Sequence, residues 1–112
     1  MENTDDILRI LLDIQSREII KVLAKSELTI REISNILDIS QSTAYRKMKK
    51  LEECEIIKKS KVVRTLEGLD ESYYKNWTYK IIVNFEDNKL SYKLEHVEIE
   101  EKIVRLWQKF SE

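Results

Sequence analysis

Residues 29–53 read TIREISNILDISQSTAYRKMKKLEE, and the fold is decided there. Thr29 and Glu32 have the spacing of a capping box, in which a hydroxyl accepts from a first-turn N–H and the carboxylate reaches back to the cap. Ile30, Ile33, Ile36 and Leu37 then fall on one helical face. Asp38 breaks the pattern, Ile39 follows as a single apolar plug, and Ser40 is a good N-cap for another helix. In that second helix Ala44, Met48 and Leu51 form the inward stripe, at spacings of four and three. Its outward set is Gln41, Ser42, Thr43, Tyr45, Arg46, Lys47, Lys49 and Lys50, with four cations and no acid. A short helix, a tight turn and a polar-basic second helix describe a helix-turn-helix, whose second helix enters the major groove of DNA.

A basic outer face alone is a weak pointer to nucleic acid, because any amphipathic helix has a solvated, charged side. What strengthens it is the run of small polar residues at the start of the second helix. Ser40, Gln41, Ser42 and Thr43 can approach base edges while Arg46, Lys49 and Lys50 reach phosphates.

Residues 16–57, SREIIKVLAKSELTIREISNILDISQSTAYRKMKKLEECEII, resemble the winged helix-turn-helix core of prokaryotic transcriptional regulators of the ArsR-like group, archaeal members above all. Arg17-Glu18-Ile19-Ile20, then Leu28-Thr29-Ile30-Arg31-Glu32-Ile33, then Ser40-Gln41-Ser42-Thr43-Ala44-Tyr45-Arg46 with Leu51 carry the likeness, which covers somewhat over a third of the chain. The resemblance implies a sequence-specific regulator that binds double-stranded DNA as a homodimer. On that reading Gln41, Ser42, Thr43, Tyr45 and Arg46 read bases or position the helix. Thr29, Arg31, Lys47, Lys49 and Lys50 contact phosphates, joined from the wing by Lys58, Lys59, Lys61 and Arg64. Such cores often carry Gly where Asp38 and Glu55 stand here, because a left-handed residue ends each helix. Asp tolerates that conformation and Glu does less well, so a differently built end to the recognition helix is expected.

A length of 112 residues suits one domain with a modest core. The 20 basic and 21 acidic residues nearly cancel, yet residues 40–64 hold eight Lys/Arg against three acids, a local excess of five positive charges. A basic stripe on an otherwise acidic chain fits an electrostatic DNA footprint. No proline and one glycine argue against a loop-rich or disordered chain. A single cysteine rules out an internal disulfide, no apolar run reaches membrane-spanning length, and the opening Met-Glu-Asn-Thr-Asp-Asp is not a signal peptide. A cytoplasmic protein with no membrane partner is expected.

Residues 4–14 read as a helix capped by Thr4, and Ile7, Leu8, Ile10, Leu11, Leu12 and Ile14 are apolar nearly all round. Such a helix needs burial on more than one side, from its own core or from a second subunit. Residues 15–25 form the next helix, with Ile19, Ile20, Val22 and Leu23 inward. Residues 56–65 suit a first wing strand, and 66–75 a loop bending at Gly68 whose acids Glu67, Asp70 and Glu71 disfavour minor-groove insertion of the tip. Residues 76–97 read as two strands joined at Asp87-Asn88. That register pairs Phe85 with Leu90, Val83 with Tyr92, Ile81 with Leu94 and Tyr79 with His96, and sets Glu86 against Lys89 and Lys80 against Glu95. A last helix over 98–111 carries a seam of Ile99, Ile103, Leu106, Trp107 and Phe110.

The expected fold is therefore α+β, mostly α: one winged helix-turn-helix domain over 1–112. It has a core and first wing strand in 15–65, an extended wing in 66–97 that completes a three-stranded sheet, and dimerisation helices at 4–14 and 98–111. The dimer interface would use Ile7, Leu8, Leu11, Ile99, Ile103, Leu106, Trp107 and Phe110. No metal site or cofactor is expected: Cys54 and His96 are the only soft or imidazole ligands and are far apart in sequence. Cys54 reads as a small buried side chain, with a thiol redox switch as the sharper alternative. The Tyr73, Tyr74, Trp77 and Tyr79 cluster reads as wing core, with a small apolar pocket as its alternative. No glycine-rich phosphate loop or nucleophile motif supports catalysis. The competing function class is a winged-helix protein-interaction module whose basic face is not used for DNA.

Overall fold

The structure, a computed structural model, describes residues 4–97. Helix α1 runs Thr4–Leu12 and α2 Ile14–Lys25. The sequence reading joined Ile14 to the first helix. Instead Asp13 stands between the two as the N-cap of α2, its carboxylate accepting from the Ser16 N–H at 3.1 Å and the Ser16 hydroxyl at 2.6 Å. A capping carboxylate stops one helix and starts the next in an otherwise apolar run. Ile7 is fully buried in its own chain, Leu8 and Leu11 are half-buried, and Leu12 and Ile14 are exposed. The expected helix over 98–111, with Ile99, Ile103, Leu106, Trp107 and Phe110, lies outside the described residues.

Helix α3 spans Ile30–Leu37 and α4 Gln41–Glu53. The capping box forms as read: the Glu32 N–H donates to Thr29 Oγ1, and the Thr29 N–H to Glu32 Oε1, both at 3.1 Å. Asp38 ends α3 in the left-handed conformation, at φ 55°. Ser40 caps α4 by accepting from the Thr43 N–H at 3.1 Å. Ile33, Ala44, Met48 and Leu51 enter the core with Ile19 and Leu23 of α2. Ile36, by contrast, stays exposed on the outer side of α3.

The β region departs from the sequence reading. Strand β1, Ile57–Arg64, pairs antiparallel with β2, Asp70–Asn76, a segment read as loop. Strands β3, Thr78–Glu86, and β4, Lys89–His96, form a second hairpin. The three-stranded wing sheet is thus replaced by two separate two-stranded sheets. The break falls at Asn76–Thr78, where the Thr78 N–H donates to Asn76 Oδ1 at 2.9 Å and turns the chain away from β1. On its other edge β2 holds Leu28, which exchanges two backbone hydrogen bonds with Tyr74 at 3.1 and 2.8 Å. The first hairpin turns at Gly68, φ 80°. The second turns at Asp87-Asn88, both at positive φ as a tight primed turn requires.

The register of the second hairpin matches the sequence reading from Phe85–Leu90 to Lys80–Glu95. It fails at the base, where an irregularity between Thr78 and Lys80 sets His96 against Thr78 rather than Tyr79. Ile81, Val83, Tyr92 and Leu94 lay one face of this hairpin on the core.

Candidate nucleic-acid interface

The second helix of the pair is held at both ends by the chain that precedes and follows it. At its start, Ser40 satisfies the first-turn N–H and its hydroxyl also meets those of Thr43 at 2.9 Å and Ser42 at 3.2 Å. At its end Cys54 is buried, which pushes its thiol pKa up and keeps it protonated. Glu55 follows at φ 63°, so the left-handed conformation survives without glycine. What compensates is the Glu55 carbonyl, which accepts from Trp77 Nε1 at 3.0 Å, His96 Nε2 at 2.9 Å and Thr78 Oγ1 at 3.4 Å. Thr78 Oγ1 also meets the Ile56 carbonyl at 2.9 Å. The His96 ring stacks on Trp77 with centroids 3.7 Å apart, and Lys58 Nζ sits 4.2 Å from the Trp77 ring. The base of the second hairpin therefore clamps the end of α4. Sequence reasoning missed this clamp because its donors lie more than twenty residues from their acceptor.

Between its held ends, α4 presents its outer residues in two directions. Gln41, Ser42 and Tyr45 face a groove of about 650 Å³ between the helix and the β1–β2 wing, with Thr29 and Arg31 on the same wall. The opposite wall carries Glu67, Asp70 and Glu71. These acids were legible as loop residues, but their position beside the helix was not, since β2 itself was missed. Arg31 Nη2 pairs with Glu71 Oε1 at 3.2 Å, and Arg64 Nε with Asp70 Oδ1 at 3.5 Å.

On its other side α4 meets the first two helices. Arg46, Lys47 and Lys50 line a smaller cleft with Asp6, Arg9 and Asp13. Lys47 Nζ is bound by Asp13 Oδ2, and Lys50 Nζ lies 3.6 Å from Asp6 Oδ2. The Lys47 ammonium and the Ser16 hydroxyl hold the Asp13 carboxyl below its ordinary pKa. With Arg31 and Arg64, four of the expected phosphate contacts thus have carboxylate partners within the chain. Arg46 has no ion-pair partner among the described residues, and Lys49 lies 5.7 Å from the Tyr45 ring.

The wing cations divide as well. An irregularity between Lys59 and Lys61 aligns Lys59 with Tyr74 and Lys61 with Tyr73. Cross-strand partners share a face, and adjacent residues of one strand do not. Lys59 accordingly joins Tyr45, Lys49 and Tyr74 beside α4. Lys61 lies over the Tyr73 ring at 4.8 Å and Lys58 over Trp77, on the far side. Burial raises the Tyr74 pKa, so its phenol is neutral. Among the described residues no group of three or more His, Cys, Asp or Glu side chains is placed to hold a metal, and no helix is long and apolar enough to cross a membrane.

Comparison with known proteins agrees with this architecture. Residues 13–59, from the cap of α2 into β1, match the family described as bacterial regulatory protein, arsR family. The fold is similar to that of a possible transcriptional regulator from Methanosarcina mazei Go1, with a TM-score of 0.55 and 20% identity over 70% of this chain and 68% of that one. HlyU from Vibrio cholerae N16961 aligns over 98% of this chain and 97% of its own at 18% identity, with a TM-score of 0.47. No curated protein sequence matches the chain. Among the described residues, four helices followed by two β-hairpins, with this family match over α2 to β1, make the fold a winged helix-turn-helix.

Proposed function

We propose that this protein is a transcriptional regulator that binds double-stranded DNA with α4 in the major groove. One observation carries the reading: the helix is fixed at both ends while Gln41, Ser42, Tyr45 and Arg46 remain exposed between them. These residue types read base edges, and their rigid support lowers the ordering cost of binding. Thr43 and Ser40 set the start of the helix, while Arg31, Lys49 and Lys59 supply phosphate contacts near the groove; Thr29, expected to join them, is buried and serves instead as the cap of α3. Lys47 and Lys50 act chiefly by docking α4 on α1 and α2, with Lys58, Lys61 and Arg64 serving flanking backbone. In this reading the protein is cytoplasmic and acts as a homodimer. Leu8, Leu11 and the exposed Leu12 of α1 contribute to the dimer interface, and the dimer sets two recognition helices on a roughly palindromic site.

Selection of bound duplexes from a random pool tests the reading. Enrichment of a palindrome supports a dimeric regulator, and affinity then falls steeply with salt through counterion release. Arg46→Ala lowers affinity for the selected duplex by about tenfold or more, with the fold intact by circular dichroism. Unchanged affinity removes Arg46 from the contact surface. The second reading, a protein-interaction module, draws on the acids Glu67, Asp70 and Glu71 and on exposed Leu66 and Leu69 near the wing tip. It expects no DNA binding even at low salt.

A further inference from the structure

We propose that Glu71 limits DNA affinity by occupying Arg31, so that a wing carboxylate competes with the phosphate that Arg31 would bind. The inference rests on the DNA reading above and deepens it. Arg31 stands in the first turn of α3, where helix N–H groups and the start of the helix dipole already favour an anion. The Glu32 carboxylate of the capping box already sits there, and Glu71 adds a second carboxylate, 3.2 Å from the Arg31 guanidinium. The two side chains are unequal. Arg31 is 63% exposed and free to swing outward, whereas Glu71 is 24% exposed and held by strand β2. A phosphate that draws Arg31 outward leaves Glu71 unpaired beneath it.

The surroundings make that exchange costly. Glu67 and Asp70 share the wall with Glu71, facing Gln41, Ser42 and Tyr45. Asp70 has Arg64 for a partner, but no other cation lies within 4.0 Å of Glu71 among the described residues. A Glu71 left without Arg31 there sits beside two further carboxylates, so giving up the pair is costly. The wing thus opposes the helix it stands beside.

A double-mutant cycle on the full chain tests this, with a duplex selected from the random pool as the probe. Glu71→Gln is expected to tighten binding roughly three- to tenfold at low salt. Glu86→Gln makes the same charge change at the far end of the second hairpin and shifts affinity by less than about twofold. In an Arg31→Gln background the gain from Glu71→Gln shrinks to within about twofold, because the pair it breaks is already gone. Binding that weakens or holds constant in Glu71→Gln, while the wild type binds, overturns the competition. So does a gain that persists in full without Arg31. Absence of binding by all the folded variants and the wild type at low salt overturns the DNA reading itself, and the competition with it.

Discussion

The two hairpins are alike in length and pairing, yet the fold uses them differently. The β1–β2 hairpin is tied through its middle: Tyr74 of β2 is buried in the core and bonds Leu28 across its outer edge. Its turn region, with Leu66 and Leu69, projects into solvent. The β3–β4 hairpin is tied at its base, where Trp77, Thr78 and His96 converge on the Glu55 and Ile56 carbonyls. Its tip, at Phe85, is exposed. A strand that supplies a core side chain is fixed by apolar burial. The second hairpin is held by both: Ile81, Val83, Tyr92 and Leu94 pack partly buried against the core, while hydrogen bonds at its base contribute less net free energy each but define geometry more narrowly.

This contrast can be broken or sharpened by substitution. The largest effect is expected for Tyr74→Ala, which empties a core position and destabilises the protein by about 3–4 kcal/mol in urea denaturation. A loss below that of Trp77→Ala would break the contrast, since the first hairpin would then not depend on its buried ring. Trp77→Ala removes a half-buried ring, its hydrogen bond to Glu55 and its stack with His96, and should cost about 2 kcal/mol. Trp77→Phe keeps an aromatic ring without the N–H and should recover about half of that. Equal losses for both would assign the clamp to the hydrogen bond alone. The smallest effects lie in the turns. Gly68→Ala should cost about 1 kcal/mol from positive φ alone, since nothing lies within 4 Å of the added Cβ. Asn88→Gly, at φ 61°, should be neutral or stabilising by a few tenths of a kcal/mol in the same assay.

Local chemistry in the chain already specified much of this. Thr29, Glu32, Ser40 and the Ala44–Met48–Leu51 stripe determined where α3 and α4 begin and which sides they bury, because caps and helical periodicity act within a few residues. Asp87-Asn88 likewise set most of the second hairpin's register, because a two-residue turn leaves little freedom in the pairing that follows. Strand β2 was not legible: Asp70-Glu71-Ser72-Tyr73-Tyr74-Lys75-Asn76 has no apolar alternation and becomes a strand through its partners β1 and Leu28. Tertiary structure alone decided the division of the cations. Lys47 and Lys50 were equivalent to Arg46 and Lys49 by sequence, and the packing of α1 and α2 gave Lys47 its carboxylate partner and Lys50 one besides Glu53 of its own helix. The same holds for Arg31 and Glu71, forty residues apart, whose meeting depends on a strand that local pattern did not announce. Helix ends and turns follow from neighbours in the chain, whereas the electrostatics of a groove follow from which distant segments form its walls.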